Sequence, residues 1–526
     1  MDACIHKQLC LGENLFVAMV DFKKAFNFVN HSILFYKIIK SGYNGRCVRL
    51  LQNIYSKLKC RIKVNNFLYR WIVDQAGTNQ GGPLSPKMFR FMLADLKKYL
   101  HIAHGIVLDD EVLTHILWAD DLVLLSSTAE GLQQQLNGLF TFCQKYQMIV
   151  NEMKTKVMIF GKPVTYVFKS NNTILDIVQD YKYRGVVISS IRNCRGNVYK
   201  KMVDYTVDRS NRANFMLYRK TKSIGHLPCQ IGSYMFNTHV LPILNYSCEL
   251  WCTTKENSRI ESVQMKYHKF ILGVKHNTCS AGVRGELGLF PVYVNQHVQL
   301  VKYFYRLHHI CSSRIVKKAF NTLYMLHNCG FQTWVSRLLT ILKYNNMLYD
   351  YELVSENSTL SADFISSFIK NVKNMYTEKW KASLINYPTL SLYYYFKDDF
   401  SMETYLNCVK DFKLCKCIAQ LRLSSHKLAI EVGRHMKPKI PREERLCMFC
   451  KCNCIEDEIH FLIDCPFYFE ERVNFLAKIL SLQKYFFNDI DLSSSKDIFN
   501  SIMSIDDEDM LFYLGKFIYL CFRKRN

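Results

Sequence analysis

No apolar run in this chain approaches the roughly 20 residues that a membrane-spanning helix needs, which excludes a membrane-embedded helical protein. The first ten residues, "MDACIHKQLC", hold no apolar signal core. The 21 cysteines are odd in number and follow no repeating framework, so a disulfide-stapled secreted scaffold is excluded too. A reducing compartment with free thiols is expected, with Asn-x-Ser/Thr matches such as Asn171 to Thr173 idle. There is no internal repeat and no long low-complexity tract. Acidic charge is in short supply, with 45 Asp and Glu against 69 Lys and Arg and a net charge of +24.

That surplus is spread along the chain rather than gathered in one tail. A folded protein this basic needs a polyanion nearby or tolerates strong self-repulsion, and nucleic acid is the first candidate. A 49% hydrophobic composition supports a sizeable core. A length of 526 residues suggests about three or four domains.

From residue 13 to 189 strands and helices mix. "ENLFVAMVDF" (13–22) predicts a buried strand. "HSILFYKIIKSGY" predicts a helix with an apolar stripe at Ile33, Leu34, Tyr36, Ile38 and Ile39. A turn-rich stretch from Gly77 to Pro86 leads into the amphipathic "KMFRFMLADLKKYL". "GLQQQLNGLFTFCQKY" predicts a third helix, "TKVMIFG" a strand, and "YKYRGVVIS" (181–189) a β-rich segment. The pattern is α+β rather than a regular alternation. From about 190 the chain turns helical. Residues 192–222 carry nine basic side chains against two acidic ones. The C-terminal "MLFYLGKFIYLCFRKRN", apolar with a basic end, predicts a packing helix first, with a surface anchor as the lesser alternative.

Three carboxylates stand out. Asp21 ends the first strand, and Asp120 and Asp121 sit at a predicted hairpin apex between "LW" and "LVLL". If the strands are neighbours, the three converge. Clustered carboxylates repel and resist ionising. A hard divalent cation such as Mg²⁺ resolves this, and two of them clamp the attacking and leaving oxygens of a phosphoryl transfer. Adjacent strand residues face opposite ways, so Asp120 is preferred over Asp121 as the main ligand. The ordinary structural alternative is that Asp21 caps a helix and the pair makes a turn.

"CMFCKCNCIEDEIHFLIDC" holds a second cluster. Cys447, Cys450, His460 and Cys465 follow C-x2-C-x9-H-x4-C, a donor set that suits tetrahedral Zn²⁺, with Cys452 and Cys454 as alternative ligands.

"VDFKKAFNFVNH", "GTNQGGPLSPKMF" and "WADDLVLL" occur in that order and resemble motifs A, B and C of the reverse transcriptases of non-LTR (LINE-type) retrotransposons. The stretch "GLQQQLNGLFTFCQKYQMIVNEMKTKVMIFGK" is similar to the motif D region, and "YKYRGVVIS" to motif E, the primer grip. The resemblance continues through "PILNYSCELW" and "GELGLFPV" into the Cys/His segment, which resembles a CCHC zinc knuckle. It is weak between about 300 and 440.

The resemblance implies a polymerase right-hand palm, with a ferredoxin-like sheet and helices, over residues 1–190. A helical thumb over 191–310, a helical connecting region over 311–440 and the zinc-knuckle segment with C-terminal helices over 441–526 would follow. It implies that Asp21, Asp120 and Asp121 bind two Mg²⁺ ions. Phe26 would contact the sugar and disfavour a 2′-hydroxyl, and Gln80 and Gly81 would pass beside the nucleotide and template. Lys154 would protonate or neutralise the leaving pyrophosphate. The implied partners are an RNA template, a DNA primer or target and dNTPs, with no membrane, and the implied location is the nucleus, with a cytoplasmic ribonucleoprotein as the other expectation. Acidic "IEDE" in the knuckle moves any binding surface there toward Arg442, Arg445 and Lys451.

The chain departs from the family in places. Asn27 stands where an Asp is usual, and Arg184 replaces an apolar residue of motif E. Gly82 and Trp118 are milder variants. Only twenty residues precede Asp21, so the fingers region and the endonuclease are expected to be missing. The expected function is RNA-directed DNA polymerisation by an N-terminally truncated retrotransposon reverse transcriptase. The alternative is an inactive remnant that only binds nucleic acid. A group II intron maturase-like protein fits the region after motif E poorly.

Overall fold

A computed structural model of the chain describes all residues except 28, 74, 75, 79–81, 349–359, 361, 489 and 526. It divides into two compact units. The first comprises Met1–Met202 with Arg306–Arg337, the second Val203–Tyr305 with Leu338–Asn526.

The first unit is mixed α and β. Its sheet is built on β1 (Leu15–Val20), whose six residues "LFVAMV" are all buried. An unbroken apolar run suits a strand covered on both faces. It is flanked by β3 (Asp121–Ser126) and β4 (Lys156–Phe160), both antiparallel to it. The hairpin partner β2 (His115–Trp118) lies outside β3, and β5 (Asp176–Ile177) runs parallel to β4, giving the order β5-β4-β1-β3-β2. A separate hairpin joins β6 (Asp180–Tyr183) to β7 (Val186–Ser189). Its turn residues Arg184 and Gly185 both have positive φ, the backbone that a tight two-residue hairpin demands.

One face of β1, with Phe16, Ala18 and Val20, shares a core with α2 (His31–Lys40), α4 (Ser85–Leu93) and α5 (Ala129–Tyr146). Helix α1 (Asp2–Cys10) also packs against β1, and the short helix α3 (Gly45–Ser56) lies against α2. Asn30 starts α2 by accepting the Ser32 and Ile33 amides, and Thr128 starts α5 by accepting the Gly131 amide. Gly138 of α5 is required by close approach, because a Cβ there would lie 2.0 Å from the Tyr99 carbonyl oxygen.

The stripe expected on α2 is rotated. Leu34, Phe35, Lys37 and Ile38 are the buried residues, while Tyr36 and Ile39 are exposed. The apolar pattern misjudged the face because Lys37 is buried with its ammonium satisfied. It donates to the Met92 carbonyl at 2.5 Å, lies 3.5 Å from Asp95 and sits 3.5 Å from the centre of the Tyr146 ring.

The second unit is helical among its described residues. It contains α6 (Met202–Ser223, from Val203), α7 (Cys229–His239), α8 (Ser258–Leu272), α9 (Ser280–Glu286) and most of α10 (Val292–His309). Helix α11 (Ile315–Asn328) returns to the first unit and packs on α1. Then follow α12 (Ala362–Leu384), α13 (Phe412–Arg422), α14 (Phe469–Leu482) and α15 (Glu508–Arg525), with α15 against α13 and α14. The helix expected over 192–222 begins only at Met202, since residues 192–201 form turns. The C-terminal segment is a packing helix, burying Met510, Leu514, Phe517, Ile518 and Cys521. No helix among the described residues is long and apolar enough to cross a membrane.

Two buried ionic groups fasten this unit. Glu261 accepts the Val292 and Tyr293 amides at the start of α10, both at 3.0 Å, and pairs with Arg284 at 2.9 Å. The Arg422 guanidinium is clamped between Glu286 at 2.9 Å and Glu403 at 2.7 Å. Lys397 pairs with Glu403, and Tyr405 donates to Glu286 at 2.6 Å. Two cations against two anions leave this group neutral, which is what makes its burial tolerable.

Burial lowers the Lys37 ammonium pKa from its ordinary range to about 8, against the opposing pull of Asp95. Below pH 8 the folded state holds a charged lysine that burial disfavours. Above that pH the unfolded chain binds the extra proton, so folding gains from the rising pH up to the ordinary lysine range. Wild-type stability, minus that of Lys37→Met, is therefore expected to rise between about pH 8 and pH 10.5. Denaturant midpoints of the two proteins across that range test this, and a pH-independent difference contradicts it.

Candidate active site and Cys/His cluster

The antiparallel register sets the first site. Val20 pairs with Leu122 and Met19 with Val123, so the next step along both strands brings Asp21 level with Asp121. Trp118 pairs with Asp121 across the hairpin, leaving Ala119 and Asp120 as a two-residue turn, with Ala119 at φ +54. The expected turn thus carries Asp120, with Asp121 at its edge and Asp21 level with Asp121. Asp21 does not cap α2, since Asn30 does.

Asp21 is held from the segment that precedes β4. Asn151 Nδ2 donates to Asp21 Oδ2 at 2.9 Å, and the Asn151 amide donates to the Asp21 carbonyl at 2.7 Å. The Asp21 amide donates to Thr155 Oγ1 at 3.3 Å. Lys154 Nζ lies 3.9 Å from Asp21 Oδ2, with its side chain exposed. Sequence reasoning singled out Lys154 but passed over Asn151, three residues earlier in the same "NEMKTK" stretch. Its signal was visible only as an amide beside a candidate site.

The β6–β7 hairpin faces the same carboxylates. Desolvation raises the Asp121 carboxyl, the Asp120 and Asp21 charges raise it further, and Arg184 opposes them. Desolvation also raises the phenols of Tyr181 and Tyr183, the first with Asp21 and Asp121 as neighbours and the second with Asp121. The Arg184 guanidinium lies 4.4 Å from the centre of the exposed Trp118 ring. Two departures from the family pattern are therefore one contact, in which an arginine on one hairpin covers a tryptophan on the other.

Phe26 is half-buried, its ring 4.9 Å from that of Phe89 in α4. Behind it the loop at Gly77 packs on the chain. The Gly77 amide donates to the Val29 carbonyl at 2.8 Å and the Thr78 amide to the Phe26 carbonyl at 2.7 Å. Gly77 has φ +95, and a Cβ there would lie 2.8 Å from the Asn27 oxygen. Gln80 and Gly81 lie outside the described residues.

Asp21 and Asp121, level at one sheet edge with mutual repulsion at Asp121, offer the hard oxygen donors a divalent cation takes, although among the described residues the three aspartates do not close into a ligand cluster as the Cys/His set does. Such a cation that binds only the folded state stabilises it, by about 1.4 kcal/mol at ten times its dissociation constant. That corresponds to a rise of roughly 3 °C in Tm. Asp121→Asn relieves the repulsion, so it is expected to melt higher than wild type without metal and to lose the Mg²⁺-dependent rise. Calorimetry of both proteins with and without Mg²⁺ tests this, and an equal rise in the variant contradicts it.

In the second unit the ligand atoms of Cys447, Cys450, His460 and Cys465 all lie within 4.8 Å of one another. Cys447 and Cys465 Sγ are 3.9 Å apart, and Cys450 Sγ is 3.4 Å from His460 Nε2. Sulfurs bound to one tetrahedral zinc at about 2.3 Å sit roughly 3.7 Å apart, so the set fits. Cys452 and Cys454 are exposed and outside the cluster. The Leu446–Ile455 bridge closes the loop that carries the first two cysteines, and His460 opens a π-helical turn whose first amide is capped by Asp457 at 2.9 Å. Arg445, expected near a binding surface, is instead spent on the backbone carbonyls of Ile430 and Ile440. Chelation and Cys465→Ser are expected to cost the second unit several kcal/mol, and Cys452→Ser almost none. Metal content and melting of the three proteins read this directly.

The sequence of the first unit has known relatives. Residues 3–188 match the family described as reverse transcriptase (RNA-dependent DNA polymerase). A retrovirus-related Pol polyprotein from the type-1 retrotransposable element R2 of Nasonia vitripennis is 31% identical over 191 residues, 34% of this chain and 18% of that polyprotein. A probable RNA-directed DNA polymerase from transposon BS of Drosophila melanogaster is 25% identical over 314 residues, 56% of this chain and 33% of its own length. Among solved structures, telomerase from Candida albicans, in complex with a fragment of telomeric RNA, aligns at TM-score 0.29 and 12% identity. It covers 73% of this chain and 50% of that one, a likeness too distant to bear on function. Residues 3–188 are a reverse transcriptase domain. The chain spans a third or less of the length of the two curated relatives described.

Proposed function

We propose that this chain is an RNA-directed DNA polymerase that extends a DNA 3′-hydroxyl with dNTPs on an RNA template. The observation that supports it best is the β1–β3 register, which brings Asp21 level with the Asp120–Asp121 hairpin inside a reverse transcriptase domain. On this reading residues 1–190 are the palm, and basic helix α6 opens a thumb that follows the phosphates of the template–primer duplex. Residues 441–526 hold a zinc knuckle with Cys447, Cys450, His460 and Cys465 as the ligands.

In the reaction the primer 3′-oxygen attacks the α-phosphorus of a dNTP, and pyrophosphate leaves. Asp21, Asp120 and Asp121 would hold two Mg²⁺ ions, which when bound activate the attacking hydroxyl and neutralise the leaving charge. Asn151 fixes the Asp21 carboxylate so that it is aimed before substrate arrives. Lys154, beside Asp21, donates a proton or its charge to the departing pyrophosphate. Phe26, backed by Phe89, presents a rigid ring against a 2′-hydroxyl. A primer in genomic DNA would put this work in the nucleus, with a cytoplasmic ribonucleoprotein as the other compartment.

Loss of a metal-binding carboxylate removes several kcal/mol of charge stabilisation, or roughly 10²–10⁴-fold in rate. Primer extension on poly(rA)/oligo(dT) by the full chain is expected to fall by that much in Asp120→Ala and Asp21→Ala. Phe26→Ala is expected to retain dNTP incorporation and to admit ribonucleotides. Wild-type extension that survives in both aspartate variants overturns the proposal.

A further inference from the structure

A cavity of about 390 Å³ opens in the second unit between α13, the chain after α8 and the end of α15. Four of its cations, Lys413, Lys416, Lys427 and Arg523, form no ion pair among the described residues. Lys275 also lines it, with its ammonium on the His426 carbonyl, and so does Arg525, which is spent on Glu456. The nearby carboxylates are occupied. Asp411 caps α13, Glu456 holds Arg525, and Glu458 accepts from His426 and Ser424. No carboxylate lines the cavity among the described residues.

Two aromatic rings stand among the cations. Tyr519 and Phe522 are one turn apart on α15, and Arg523 is one turn beyond Tyr519. Phe522 is fixed by a stacked contact with Phe461, ring centres 5.0 Å apart. Phe461 follows the cluster ligand His460, and Glu456 lies in the same segment. The Cys/His cluster thus holds the end of α15 in place through Phe461 and Glu456, and the end of α15 makes one wall of the cavity.

We infer that this cavity binds an unpaired polynucleotide strand, its phosphates on Lys413, Lys416, Lys427 and Arg523 and its bases against Tyr519 and Phe522. Cations interleaved with aromatic faces are the chemistry of sequence-tolerant single-strand binding. The volume is that of a small-molecule pocket, enough for a nucleotide or two of a single strand and too small to seat a duplex. An acidic peptide would use the cations but leave the rings unused. The inference goes beyond the polymerase reading and stands on different residues.

The test is fluorescence anisotropy of the full, zinc-loaded chain with labelled 20-nucleotide oligo(U) and oligo(dT). A saturating unlabelled, fully paired RNA/DNA duplex of mixed sequence, which offers no free adenines to the probes, keeps the polymerase site occupied. The triple variant Lys413→Ala, Lys416→Ala, Arg523→Ala is expected to bind at least tenfold more weakly near 0.1 M salt. Its log–log salt slope should be smaller by about 2, or roughly 0.7 for each of three lost phosphate contacts. Tyr519→Ala is expected to lose roughly tenfold with its slope unchanged, and Lys413→Arg, Lys416→Arg to bind as wild type. All variants should melt and extend primers as wild type, which separates this result from failure of the polymerase reading. Tighter binding of oligo(U) assigns RNA, and equal binding assigns single strands of either sugar. Unchanged affinity and slope in the triple variant overturn the inference. So does equal competition by polyglutamate that Tyr519→Ala does not weaken.

Discussion

The register between β1 and β3 is the constraint on which the first unit depends. A slip of one residue would exchange the two buried faces of a strand, presenting each packing layer with the wrong side chains, and move Asp21 away from Asp121. The register is enforced by burial on both sides, with α2, α4 and α5 over one face and α1 against the strand as well. The repulsion among the carboxylates is therefore imposed by the core. It costs stability at the strand ends because the apolar residues behind them have nowhere else to go.

The surroundings of Asp21 follow from the same sheet. Strand β4 is the other neighbour of β1, and the chain leading into it delivers Asn151, Lys154 and Thr155 to the aspartate. On the other side the β6–β7 hairpin brings Tyr181, Tyr183 and Arg184 to Asp121. Arg184 replaces an apolar residue without opening a gap because the flat Trp118 ring receives it. In the second unit the corresponding role falls to buried ion groups. Removing either Arg422 or Glu286 would leave this group of two cations and two anions with a net charge in a dry core.

The Cys/His cluster and the cavity beside it show how a small staple supports a larger surface. The cluster orders the 447–465 loop, and that loop anchors the last helix through an arginine–glutamate pair and a ring stack. Any metal lost from the cluster would loosen both the loop and the basic end of α15.

The sequence by itself determined the parts carried by local pattern. The unbroken apolar run of β1, the paired aspartates at a hairpin and the amphipathic α5 were legible, because each is dictated by neighbours within a few residues. So was the Cys/His spacing, although choosing His460 and Cys465 over Cys452 and Cys454 took the fold. Tertiary structure alone decided the rest. Lys37 reads as surface in any periodic pattern, yet it is buried because Met92, Asp95 and Tyr146 arrive from distant elements to satisfy its ammonium. Boundaries drawn near 190, 310 and 440 contain no sign that α11 returns to pack on α1, since a helix face does not declare its partner. Asn151 at Asp21, Arg184 over Trp118 and the cations around Tyr519 and Phe522 are likewise encounters between segments far apart in the chain. Their energies come from contact and desolvation, which exist only once the chain has folded.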